Sequence, residues 1–438
     1  MTSPAVSRRH HPRPVITAGA TTAAVVAVLL AVLLAGCTSI LDRPSLPPGG
    51  TVDPRIAASG VATTSASITP VTPDGLVAGP GVTDAEITLA VLADPSADRG
   101  FAEGVRLWQQ SVNTTGGVCG RAITIVANGV DGVPAESGSA YRHVGTTTLG
   151  LLAPAPPSDT SLSASIAADQ IPLVTATGAS TQLSPSGPMV AGATADILSI
   201  NGLQHLLDAG MIAAGETVGV LDDGSGSADN ALAGARWWAG ENDVALDVRD
   251  GAADSTSWPG VDAVLVPADA SAVSSVLVGL GADLPLLTLP GGFAPDSWTA
   301  EAVAAAAGRL YVASPAPAYG SDYPAAVAVA SMAAAAGTGA AGPLIMDGFA
   351  VGATWGRLLT EACADRTLTR AGVRQAATTV GAAPDSSLFG ADDPGLVVGS
   401  GLPATRASSI SVADAAAPTG LRSLAWLGTA PGIEDYTP

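Results

Sequence analysis

The chain has 438 residues, 47% hydrophobic but only 4% aromatic, with 52 glycines and 33 prolines. Its 18 cationic side chains, all arginine, stand against 38 acidic ones, for a formal charge of −20. Nucleic acid and anionic membrane surfaces repel so acidic a protein, so neither is expected as a partner. The apolar fraction is ample for a sizeable core, which Ala, Val and Leu must build. The absence of lysine, with abundant Ala and Gly, fits the codons of a GC-rich genome.

In chain order, a cationic start (Arg8, Arg9, Arg13) leads into the apolar run Val15–Leu34, which closes on Leu34-Ala35-Gly36-Cys37. A charged n-region, an apolar h-region and a small-residue end make residues 1–36 a secretory signal peptide. An uncleaved transmembrane anchor is the competing reading, since the run is about long enough to span a bilayer. The Leu-Ala-Gly-Cys ending resembles a bacterial lipobox, which implies lipidation of Cys37 and work outside the cytoplasm. Residues 37–84, rich in Pro, Gly, Ser and Thr without periodicity, read as a flexible linker. Such a coil averages roughly 35–40 Å end to end. Two further cysteines, Cys119 and Cys363, form an even pair in an oxidising compartment and are expected to bond. Two buried thiols are the alternative.

Regular structure begins at Ile87-Thr88-Leu89-Ala90-Val91-Leu92, an apolar run of the kind a buried parallel strand needs. Phe101, Val105, Trp108 and Val112 then recur at helical spacing, and the helix stops at Gly116-Gly117. Ile123–Val126 reads as a strand, 134–148 as a helix, Leu149–Ala153 and Ile171–Thr175 as strands. The pattern restarts after residue 190: helix over 197–209, strand at Val218–Leu221, helix over 228–240, then strands at Ala263–Val266 and Leu284–Leu287. Strands alternating with helices at this spacing imply a mostly parallel α/β architecture. The chain is long enough for two lobes.

The segment from Gly81 onward resembles the type I periplasmic-binding-protein fold, in the leucine/isoleucine/valine-binding branch of receptors for ABC transporters. The likeness rests on Gly81–Leu92 as the opening strand and on Asn113-Thr114-Thr115-Gly116-Gly117-Val118-Cys119-Gly120-Arg121 as the helix exit. It continues in Ile171–Ser180 as a strand and loop, in Asp262–Val266, and in Phe349–Ala362 followed by Leu368-Thr369-Arg370-Ala371-Gly372-Val373. The resemblance implies two Rossmann-like lobes with parallel-sheet cores, joined by a three-crossover hinge near 189–196, 312–318 and 400–406. The N-terminal lobe would comprise 85–190 plus 315–402, and the C-terminal lobe 191–314 plus 403–438. Cys119 and Cys363 would both fall in the first lobe.

The resemblance places ligand contacts on Ser158 of the Ala153–Asp159 loop and on Thr177, Ala179 and Ser180 of the second loop. In amino-acid receptors of this branch, hydroxyls and backbone N–H groups at these loops hold a carboxylate. Here prolines 154, 156 and 157 have no N–H to donate, and Asp159, turned inward, would repel that group. The family's acid for the ligand ammonium falls near Pro290–Phe293, where no acid stands; Asp222, Asp223 or Asp269 are the substitutes at hand. Ser227 ends a Gly/Ser run after a strand, where N–H groups meet an anion or form a βα turn. Phe293 and Tyr319, with Trp298 and Tyr323 nearby, are aromatics that stack on a ligand or fill the core. Arg99, after the first strand, faces an anion in the cleft or solvent.

Other chemistry finds little footing. Gly337–Gly342 matches G-x-G-x-x-G, but it follows a helix rather than a strand, so it reads as a loop. His143 and His205 sit in expected helices, no metal-ligand spacing occurs, and no nucleophile elbow is present. No cofactor, metal or catalytic set is expected, and the reading is not an enzyme. The expectation is a monomeric, lipid-anchored solute-binding protein of a high-GC Gram-positive cell envelope. It would capture a small polar, amino-acid-like molecule for an ABC permease. A sensor or envelope scaffold with a degenerate cleft is the alternative.

Overall fold

The computed structural model describes residues 71–94, 97–127, 141, 144–251, 257–280, 284–339, 342–380 and 398–438. The expected signal peptide, Cys37 and most of the expected 134–148 helix lie outside the described residues.

The first sheet contains β2 (Glu86–Val91), β3 (Ala122–Ala127), β4 (Gly150–Ala153), β5 (Leu173–Thr175) and β6 (Met189–Val190). Their order is β3-β2-β4-β5-β6, parallel throughout. Helices α1 (Arg99–Thr114) and α2 (Thr160–Ala168) connect these strands. All four residues of β4 are buried, because helices cover both faces of a parallel sheet and leave no polar side.

The chain then builds a second sheet. Helix α3 (Ala195–Asp208) is followed by β7 (Thr217–Asp222), α4 (Gly226–Asn242), β8 (Ala245–Asp250) and β9 (Ala263–Val266). Next come α5 (Ala270–Gly279), β10 (Leu286–Thr288), α6 (Ala300–Ala306) and β11 (Leu310–Ser314). It returns to the first lobe with α7 (Pro324–Ala335), α8 (Ile345–Ala364) and α9 (Arg370–Ala376), whose apolar faces join the first lobe's core. It ends in the second lobe with β13 (Ser408–Ala413) and β14 (Leu421–Gly428). The seven-stranded order is β14-β13-β11-β10-β9-β7-β8, with every pairing parallel except the two that the reversed strand β13 makes with β11 and β14. The five- and seven-stranded sheets, with three passages of the chain between them, give the two-lobed type I architecture, mixed α/β with parallel-strand cores.

The linker expected over residues 37–84 does not reach residue 84. β1 (Val77–Ala78) pairs in parallel with β12 (Thr367–Leu368). Arg121, only 2% exposed, reaches Asp74 at 2.9 Å and donates to the Thr83 carbonyl at 2.7 Å. That guanidinium holds the Asp74 carboxyl well below the usual carboxylate range. At Gly81 (φ +76) a Cβ would stand 2.5 Å from the Leu149 nitrogen. Residues 71–84 therefore pack on the first lobe, through partners that lie 40 to 290 positions downstream, roughly speaking, where local composition gives no sign of them.

One packing detail positions the site. Helices α1 and α8 meet backbone to backbone: a Cβ on Gly104 would come within 2.0 Å of the Ile345 carbonyl oxygen, and one on Gly348 within 2.0 Å of that of Phe101. This contact pins the first turn of α8. Farther along, Trp355 fills the space that Gly150 leaves on β4 and donates from Nε1 to the Leu151 carbonyl at 3.1 Å. The other end of α8 carries Cys363, bonded to Cys119 with Cα atoms 6.4 Å apart.

Candidate functional site

In open α/β sheets, ligands bind beyond the carboxyl ends of the strands. Here the exits of β2, β4 and β5 supply Leu92, Asp94, Asp98, residues 153–158, Ala176 and Thr177 to one wall of a cavity of about 250 Å³. Pro290 and Gly291, after β10, close it from the second lobe, and Leu344 and Asp347 close it from the start of α8. A smaller adjoining space between the lobes includes Phe293, Ser314, Ala316 and Asp347. A separate cavity of about 280 Å³, lined by Ile166, Leu173, Pro188 and Arg374, lies within the first lobe and takes no residue from the second.

Of the expected contacts, Ser158 and Thr177 line the interlobe cavity, with Ser158 exposed at its rim. The second loop is otherwise occupied by the hinge. Thr177 donates its hydroxyl to the Ala193 carbonyl at 2.7 Å and its N–H to Pro154. The Ala179 N–H goes to Gln182 Oε1 at 3.4 Å. Ser180 is buried; its hydroxyl donates to Asp196 Oδ2 at 2.6 Å and accepts from Asn230 Nδ2 at 2.6 Å. Its N–H donates to Asn230 Oδ1 at 3.1 Å.

Asp196 is fully buried at the first turn of α3 and also accepts from Thr194 and, at 3.0 Å, from the Tyr436 hydroxyl. Burial and the adjacent Asp196 push the Tyr436 phenol upward. Asn201, on the same helix, donates to the Arg406 carbonyl at 2.9 Å and accepts from the Ala430 N–H at 2.7 Å. One helix thus ties the first crossover, the third and the C-terminal segment by satisfied buried bonds.

Of the remaining expected residues, Phe293 borders the smaller interlobe space and the others lie elsewhere. Ser227 is exposed in the first turn of α4. Asp269 caps α5, accepting from the Ala272 N–H at 2.9 Å. Asp222 and Asp223 accept from the N–H groups of Gly224 and Ser225, so the Gly/Ser run is a capped turn. Asp159 turns away from the cleft to cap α2, accepting from Ser161 and Leu162, and these bonds lower its carboxyl's titration. Phe293 is buried edge-on against Trp298, ring centroids 5.5 Å apart, and Tyr319 belongs to the first lobe's core. Arg99 faces Asp296 of the second lobe at 3.6 Å, both exposed. Such a surface pair adds at most about 1 kcal/mol.

His205 packs beside Tyr311, centroids 6.2 Å apart, and burial lowers its imidazole's titration. His143 and residues 340–341 of the glycine motif lie outside the described residues; Gly337 ends α7 in a left-handed turn. Among the described residues no cluster of His, Cys, Asp or Glu is placed to hold a metal, and no helix is long and apolar enough to cross a membrane.

Sequence reasoning missed Asp347. It is 4% exposed, borders both interlobe spaces, and its Oδ1 has no hydrogen-bond partner. Its carboxyl accepts from the Ala316 backbone N–H, in the second crossover. Burial nevertheless pushes it up to about 8, outweighing that bond. The signal in the sequence was a lone acid within the otherwise apolar run Leu344–Val351 at the start of a helix.

No family model matches the chain, and no curated protein matches it. Solved structures do. A fatty acid ABC transporter substrate-binding protein from Thermomonospora curvata superposes with a TM-score of 0.69 at 23% identity, over 84% of this chain and 98% of that one. A branched-chain amino acid ABC transporter protein from Thermus thermophilus with bound valine gives 0.62 at 16%, over 80% and 98%. An ABC transporter substrate-binding protein from Aeropyrum pernix gives 0.61 at 15%, over 80% and 98%. With its parallel sheets, its three passages between lobes and this likeness, the chain has the type I periplasmic-binding-protein fold that ABC transporter substrate-binding proteins share.

Proposed function

We propose that this protein is an extracytoplasmic solute-binding protein that captures a small molecule between its lobes and presents it to an ABC permease. The observation that carries the reading is the interlobe cavity, walled by the carboxyl ends of three first-lobe strands and by Pro290–Gly291 of the second lobe. Closure excludes water, and differential affinity for the closed form drives it. No bond is made or broken. A thermal-shift screen of the intact protein against amino acids, amines, amides, carboxylates and sugars tests this, since a bound ligand raises the melting temperature by mass action. No shift across the panel would sink the transport reading.

A second reading, a sensor or scaffold on the same fold, is favoured by one observation: the hinge consumes the hydroxyls of Thr177 and Ser180. The silent panel would leave that reading standing.

The address rests on residues 1–37. With residues 1–36 removed and Cys37 lipidated, the chain is a monomer tethered to the outer face of the cytoplasmic membrane. We expect the protein to partition into the detergent phase of a Triton X-114 extraction, and Cys37→Ser to move it to the aqueous phase. A wild-type protein found in the aqueous phase would rule out the lipid anchor.

A further inference from the structure

We infer that the interlobe cavity takes an apolar primary amine anchored on Asp347, and not an α-amino acid or a fatty acid. The inference rests on the solute-binding reading and narrows it to a ligand class.

The first argument is the orphaned acceptor. A buried polar atom ordinarily has a partner, yet Asp347 Oδ1 has none and the carboxyl borders the cavity. The α1–α8 backbone contact at Gly104 and Gly348 holds the turn that carries it, so the acid cannot swing out to solvent without breaking helix packing. A ligand cation at that oxygen forms a charge-assisted hydrogen bond in a water-poor setting, the strong kind.

The second argument is the sign of the surroundings. Among the described residues lining both interlobe spaces, the titratable side chains besides Asp347 are Asp94 and Asp98, from the loop after β2, and no cation lines either space. Arg99 follows Asp98 in sequence but reaches across to Asp296. A cleft lined by one sign of charge concentrates ligands of the other sign and repels carboxylates.

The third argument is the missing carboxylate site. The N–H groups of Thr177, Ala179 and Ser180 and the hydroxyls of Thr177 and Ser180 already donate within the protein. Prolines 154, 156 and 157 offer no N–H. An α-amino acid would satisfy Asp347 with its ammonium and leave its carboxylate without those donors. The walls set the rest of the ligand: Leu92, Ala153, Leu162, Ala176 and Leu344 line a space of about 250 Å³, suited to a short aliphatic or single-ring body.

Proton balance supplies a readout. Burial keeps a proton on Asp347 up to a pH of about 8. An ammonium that pairs with the carboxylate displaces that proton to solvent: R–NH₃⁺ plus the acid gives the ion pair plus H⁺. Each amine bound at pH 6.5 therefore releases close to one proton.

The test is titration calorimetry of the intact, detergent-extracted protein in two buffers of different ionisation enthalpy at pH 6.5. The probes are isopentylamine, 2-phenylethylamine, leucine, isovalerate, octanoate and isopentanol. The amines are expected to bind with proton release, while leucine and the carboxylates do not. Asp347→Asn keeps an acceptor for the Ala316 N–H, and is expected to weaken amine binding roughly tenfold or more and abolish the proton release. Should that variant melt below the wild type, Asp347→Leu is read in its place. Binding of leucine, octanoate or isopentanol with the amines inert overturns the inference and leaves the binding-protein reading intact. Amine binding equally tight in the variant also overturns it. Silence from all six probes here and from the wider thermal-shift panel removes the binding-protein reading itself.

Discussion

Replacing Asp347 with Asn is expected to stabilise the protein in the absence of ligand, and the gain grows with pH. In the unfolded chain this carboxyl titrates near 4, whereas burial in the fold pushes it up to about 8. A group whose folded form holds its proton more tightly contributes full stability below the lower value and loses it as pH rises toward the upper one. The unfolded state then binds fewer protons than the native state, so the slope is negative between about pH 4 and 8. The loss by pH 7 is on the order of 2–4 kcal/mol, at about 1.4 kcal/mol per unit of separation. The amide variant carries no such slope.

Urea unfolding at pH 5 and pH 7.5 reads this as a difference between the two proteins. That form of the measurement cancels carboxyls of the opposite sense, such as Glu103 beside Arg106, which the pairing lowers. Parallel pH profiles for wild type and variant would sink the prediction. A stabilising substitution at a cavity-lining position is the usual mark of a residue retained for binding at the expense of stability.

Breaking the Cys119–Cys363 bridge is expected to destabilise the protein by about 2–5 kcal/mol. The bond spans 244 residues of sequence, so its loss frees a long closed loop in the unfolded chain. Its native ends are well placed. Cys119 sits at φ 54 in the glycine-rich turn between α1 and β3, and Cys363 lies in the last turn of α8. The bridge ties together the far ends of the two helices whose backbone contact positions Asp347. Urea midpoints of Cys119→Ser, Cys363→Ser and the double variant should fall together, because either single change removes the same bond. Denatured but unreduced protein should show no reactive thiol at these positions. Two reactive thiols would mean that the cysteines are merely buried, the alternative the sequence left open.

Much of the fold was legible because its strands are buried on both faces. β2, β4, β7 and β9 announce themselves as short apolar runs, and α1, α3 and α4 as the periodic stretches between them. β8 was harder to see: Ala245–Asp250 is a partly exposed edge with charged alternate positions. The antiparallel turn of β13 and β14 at the other edge was also missed, since periodicity is indifferent to strand direction. The candidate site was legible in outline only. Loops 153–158 and Thr177 do border the cavity, while Ala179, Ser180, Ser227, Asp269 and Tyr319 serve the hinge, a helix turn, a cap or the core.

The amino-acid sequence by itself determined the class of protein: α/β lobes from the alternation of apolar strands and helices, an acidic surface, and a pair of cysteines suited to bonding. These properties are local or additive, so they survive without coordinates. Only the tertiary structure decided what each polar group does. Asp196, Ser180, Asn230 and Tyr436 come from four separate segments yet satisfy one another, which withdraws them from any ligand. Asp347 is left over beside a cavity that three strand exits and two lobes create together. Whether a donor or acceptor is spent or available depends on partners scattered along the chain, and folding alone brings those partners within hydrogen-bond reach.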